Sequence, residues 1–80
     1  MRGQGESSVA QWTHKQYDIL ERAITNGKRI SAYRRGTEYV VVPTRLHMIS
    51  GREAVEATHP TTGEQITIYL DEMDSFEVVK

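Results

Sequence analysis

The hydrophobic period of this chain changes at Asn26-Gly27 from that of a helix to that of a strand, and it does not change back. Ahead of the break, Tyr17, Leu20 and Ile24 recur at helical spacing, with Ile19 and Ala23 widening the stripe. Thr13 offers an N-cap, and Gln16 three residues later completes a capping box. Asn26-Gly27 ends the run as a left-handed C-cap does. The spacing predicts one helix over about 13–26, with Trp12 just before the cap stapling back near Tyr17.

Past Gly27 the segments are short and alternate. Lys28 to Arg34 sets Ile30 and Ala32, with Tyr33, on packing positions, and Arg35-Gly36-Thr37 reads as a turn. Glu38 to Val42 is a β-branched run closed by Pro43, so Leu46 to Ile49 reads as a separate short strand. Ser50-Gly51 has hairpin chemistry, and Arg52 to Thr58 alternates again. His59 to Gly63 is punctuated by Pro60 and Gly63. Gln65 to Leu70 puts Ile66, Ile68 and Leu70 on one face, Asp71 to Ser75 reads as a turn or one 3₁₀ turn, and Phe76 to Val79 is a last strand. One helix followed by five or six short strands predicts a mainly β chain with one N-terminal α-helix, folded as a small SH3-like or Sm-like antiparallel barrel.

Eighty residues allow one small domain with a modest core. Residues 1–8 carry two glycines, two serines and almost no apolar mass, and a flexible tail is expected over 1–11, ahead of a single barrel domain over 12–80. No apolar run reaches the roughly 18 residues of a membrane span, and nothing resembles a signal peptide, so residence in the cytoplasm and no membrane partner are expected. The absence of cysteine excludes disulfides, thiolate zinc sites and cysteine nucleophiles. His14, His47 and His59 lack metal-ligand spacing, so no metal and no cofactor are expected. No serine sits in a nucleophile elbow, and Gly3-Gln4-Gly5 follows no strand as a phosphate loop would. No catalytic residue is assigned, and an enzyme is the least favoured class.

A net charge of −1 conceals a segregation. Residues 22–52 carry Arg22, Lys28, Arg29, Arg34, Arg35, Arg45 and Arg52 against Glu38 alone, a formal +6. Residues 53–80 carry Glu53, Glu56, Glu64, Asp71, Glu72, Asp74 and Glu77 against Lys80, a formal −6. Such a pattern builds a dipolar surface with one face for anions, or lets basic and acidic strands neutralise one another across the sheet. Asp71-Glu72-Met73-Asp74 reads as a solvated acidic turn or a patch facing a basic partner.

The stretch from Ile19 to Val79 resembles the WYL domain family, a bacterial ligand-sensing module. Ile19 to Ile24 with Gly27 to Ile30 and Tyr33 is similar to the family's opening helix, turn and first strand. Val42-Pro43 with Leu46 is similar to its Pro-x-x-Leu segment; Gly51-Arg52, His59-Pro60 to Gly63, and Leu70-Asp71 are similar to its core hairpin and closing strand end. The tripeptide that gives the family its name falls on Glu53-Ala54-Val55. Two family arginines fall near Ile66 and on Glu72, one lost and one reversed in sign. The resemblance implies the barrel, and a non-enzymatic regulatory module whose basic surface engages nucleic acid or a nucleotide-like anion.

Two binding readings follow. In the first, Arg34, Arg35, Arg45 and Arg52 contact phosphates of single-stranded DNA or RNA, with Tyr33, Tyr39 or His47 as stacking faces. In the second, a protein-interaction module, of phage or mobile-element origin, docks a basic partner or a second copy of itself through Glu53, Glu56 and Glu72. Arginines at hairpin turns also serve only to keep a surface soluble, and tyrosines on strands are ordinary core. What separates the readings is whether the arginines share one concave patch or interleave with the glutamates.

Overall fold

A computed structural model describes residues 12–79; the tail expected over 1–11 and the terminal Lys80 lie outside the described residues. The helix α1 runs His14–Asn26 behind Thr13. Both halves of the capping box form: Gln16 N–H donates to Thr13 Oγ1 at 3.2 Å and Thr13 N–H to Gln16 Oε1 at 2.8 Å. Gly27, at φ 65°, turns the chain out of the helix in the left-handed region, where a side chain would be strained. Leu20 and Ala23 are buried, and Tyr17 and Ile24 pack at the margin of the same face. Among the described residues no helix is long and apolar enough to cross a membrane.

Five strands follow: β1 Ile30–Arg34, β2 Thr37–Ile49, β3 Arg52–Thr58, β4 Gln65–Tyr69 and β5 Ser75–Val78. All pairings are antiparallel, in the order β4-β3-β2-β1-β5. The fold is the mainly β one expected, with a qualification. β4 and β5 stand at opposite edges, so the sheet is bent but not closed.

The two strands expected on either side of Pro43 are one. β2 is 13 residues long, pairing with β1 through Val41 and with β3 from Val42 onward. Its register shifts between Pro43 and Arg45, and the bulged Thr44 sends its hydroxyl to Glu56 O at 3.0 Å. Proline lacks an N–H and is tolerated where a ladder is already interrupted. Here the interruption is the bend, and the proline does not end the strand. The Ser50-Gly51 turn closes the β2–β3 hairpin with both residues at positive φ, 51° and 79°, which matches the twist of the flanking strands.

Ile30, Ala32, Val41, Val55, Ala57, Ile68, Leu70 and Met73 join the two helix residues in one core. β4 ends at Tyr69, and Leu70–Glu72 forms the 3₁₀ turn. Trp12 lines one depression together with Tyr17 of its own helix and is anchored from the other side as well. Its indole N–H donates to Leu70 O at 3.2 Å and its ring stacks on Phe76 at 5.3 Å, so the 3₁₀ turn supplies an acceptor and β5 an aromatic face.

Candidate binding surface

The acidic 3₁₀ turn has basic partners within its own chain. Arg52, at the start of β3, forks onto Asp71, with Nε 2.9 Å from Oδ2 and Nη2 2.7 Å from Oδ1. The same Nη2 lies 3.1 Å from Glu72 Oε2, while Arg34, at the end of β1, approaches Glu72 Oε1 at 3.6 Å. Glu72 therefore bridges two arginines that are 18 positions apart in sequence. Hydrogen bonds from Arg52 hold the Asp71 carboxyl below the usual carboxylate range, and Asp71, then Glu72, push the guanidinium further into its charged form. Arg52 also lies over the Tyr69 ring at 3.9 Å, and Arg34 over Tyr39 at 5.4 Å. At the β1–β2 turn, Arg35 takes a left-handed φ of 52°, and its backbone N–H donates to Asp74 Oδ2 at 3.0 Å.

A second group lies on the face of β2–β3–β4 turned away from the core. Register sets Arg45 opposite Glu56, His47 opposite Ala54, and Ala54 opposite Tyr69. Arg45 Nη2 sits 2.8 Å from His47 Nδ1. Since guanidinium only donates, Nδ1 accepts and the imidazole proton belongs on Nε2. Nε2 is 2.9 Å from Glu56 Oε2, without hydrogen-bond alignment.

The seven residues assigned to anion binding are each set among carboxylates, although Arg52, alternating with Ala54 and Glu56 and lying over Tyr69, shares the outer face of β2–β3–β4 with Arg45 and His47. Arg34 and Arg52 meet on Glu72, Arg45 and His47 meet beside Glu56, and Arg35 occupies a turn. Tyr33 faces Glu38 across β1–β2, and its phenol is raised above its ordinary value by Glu38 first, then by burial and Glu77. The glutamates do not share a face. Glu56 alternates onto the outer side of β3, whereas Glu53 lies on the side of Val55 and Ala57, toward α1.

There Tyr17 donates its hydroxyl to Glu53 Oε1 across the end of the β2–β3 hairpin. Around this pair lies an open depression of about 470 Å³, lined by Trp12, Tyr17, Met48, Arg52, Glu53 and Asp71. Sequence reasoning placed Trp12 and Tyr17 as packing residues and missed the depression. The available signal was the glutamate at 53, where the resemblance sets the first residue of the family's aromatic tripeptide.

The Glu53 hydrogen bond, then burial, raise the Tyr17 phenol to about 12. Only the neutral phenol can donate. The contact therefore contributes stability fully below the unfolded value of about 10 and loses it as pH rises through the folded value of about 12. An absorbance titration, differenced against Tyr17→Phe, should place Tyr17 near 12, and Glu53→Gln should return it toward about 10. An unshifted Tyr17 in the unsubstituted protein would mean that the pair does not form in solution.

No protein-family model matches this chain, and no curated protein matches it. Among solved structures it is similar to proteasome accessory factor B/C (PafBC) of Arthrobacter aurescens, with a TM-score of 0.69 and 24% identity over 90% of this chain. The chain spans only 12% of that protein's length, so the likeness is to one small part of it and shows the fold.

Proposed function

We propose that this chain is a WYL-like, non-enzymatic regulatory module that acts by binding in the cytoplasm, and that its partner is a protein. The resemblance over Ile19 to Val79 and the fold likeness to part of PafBC support the WYL-like reading. The observation that carries the choice of partner is the Arg34–Glu72–Arg52–Asp71 chain. A phosphate approaching Arg52 has to displace a carboxylate already held by two parallel hydrogen bonds. Arg45 stands opposite Glu56 in register. Basic and acidic residues interleave, and interleaved surfaces select partners by charge pattern more than they attract polyanions.

A second reading has its own support: Arg45, His47, Arg52 and Tyr69 share the outer face of β2–β3–β4, as a platform for single-stranded nucleic acid requires. Fluorescence anisotropy with short single-stranded DNA and RNA, at low and at physiological salt, separates the two. The protein-partner reading expects no saturable binding at physiological salt. A log–log salt slope of about −2 to −3, equivalent to three or four phosphate contacts, with loss of binding on Arg45→Glu, would overturn it in favour of the second.

A further inference from the structure

We infer that the depression at the end of the β2–β3 hairpin receives a lysine or arginine side chain from a basic segment of a partner protein; this rests on the protein-partner reading above and specifies its site. The volume, about 470 Å³, lies within the roughly 300–1,000 Å³ range of ligand pockets. Its wall has three parts that together suit a long cationic side chain. Trp12 and Tyr17 are aromatic, and aromatic rings attract cations through their negative faces. Trp12 is fixed beforehand by its bond to Leu70 O and its stacking on Phe76, so little ordering remains to be done on binding. Met48, 59% exposed, offers a flexible apolar surface for the alkyl stem.

Charge selects the cation. Arg52 is the one guanidinium in the wall, and its Nε and Nη2 already bond Asp71 and Glu72. Against it stand the carboxylates of Asp71 and Glu53 in the wall, with Glu72 adjoining. Glu53 is exposed, and Tyr17 occupies one acceptor position on Oε1. An ionised carboxylate has about four such positions, so Glu53 is oriented by Tyr17 and still able to accept from an ammonium. An anion entering here would meet the Glu53 carboxylate and an arginine already bonded to Asp71 and Glu72.

The chain has a single tryptophan, Trp12, so its emission reports on this wall directly. The probes are the blocked peptides acetyl-Leu-Lys-Leu-amide and acetyl-Leu-Arg-Leu-amide, with the Nε-acetyl-lysine peptide as the uncharged control. We expect saturable changes in Trp12 emission from the two cationic peptides, with dissociation constants on the order of 1 mM or tighter, and none from the control. Glu53→Gln, at an exposed hairpin position, should weaken binding by about tenfold with an unchanged circular dichroism spectrum. Met48→Glu, adding a carboxylate to an exposed site, should strengthen it.

Equal binding of the acetylated control, or an unchanged affinity in both variants, would overturn the assignment. Amide chemical shifts separate its failure from that of the parent reading. Peptide-induced shifts confined to Arg45, His47 and Glu56 on the outer face would move the site and leave the protein partner standing. Silence toward peptides together with saturable single-strand binding would remove both.

Discussion

Ile30→Ala is expected to lower the unfolding free energy by about 2–5 kcal/mol. Ile30 is fully buried in β1, paired with Val41 on one side and Val78 on the other. It sits where β1 joins β2 to β5, in the same cluster as Leu20 of the helix. Removing its outer carbons leaves a cavity that three elements would have to move to fill, and a cavity that cannot collapse costs the most. A domain of this length has a total stability of about 4–12 kcal/mol, so the loss is a large part of the whole. Urea unfolding should show a lower midpoint with an unchanged m-value. Val40→Ala on the neighbouring strand, at a position 38% exposed, should stay within about 0.5 kcal/mol. A loss below about 1 kcal/mol at Ile30 would mean that β1 does not organise the core as its register implies.

Local signals in the sequence were read correctly because their physics is local. Thr13 and Gln16 satisfy one another within a single turn, Gly27 adopts the left-handed cap, and Ser50-Gly51 closes its hairpin, all without reference to the rest of the fold. Pro43 was misread because its meaning depends on which neighbour the strand has at that point. At the crossover from β1 to β3 a missing N–H accompanies a bend, whereas in a uniformly paired strand it would mark an end. The site depends still more on distant partners. That Glu53 would receive Tyr17, and that Arg52 would fork onto Asp71, follows from how α1 and the 3₁₀ turn close over the hairpin end. The segregation of charge was visible in the order of the residues. Whether it would make one basic face or cancel was not, because that depends on Glu72 lying between Arg34 and Arg52.

Glu72→Arg should turn this surface into one that binds single-stranded nucleic acid. Position 72 is where the resemblance to the WYL family sets an arginine, and here a glutamate stands there with opposite charge. Substitution takes the carboxylate from Arg34, leaves Arg52 with Asp71 alone, and adds a third guanidinium beside them. The formal net charge moves from −1 to +1. At low salt the affinity for a short single strand should rise by at least about tenfold, with the log–log salt slope steepening by about 0.7 for each phosphate engaged, one to three in all. Glu72→Gln, which frees Arg34 but adds no charge, should fall between. The fold should tolerate both changes, since the bridges lost are surface ones worth about 0–1 kcal/mol each. A tenfold gain for Glu72→Arg would make residue 72 the switch between an anion-binding surface and an internally neutralised one. An unchanged affinity, with the variant folded, would mean that Asp71 alone keeps Arg52 from phosphate, and Asp71→Asn in the same background should then release it.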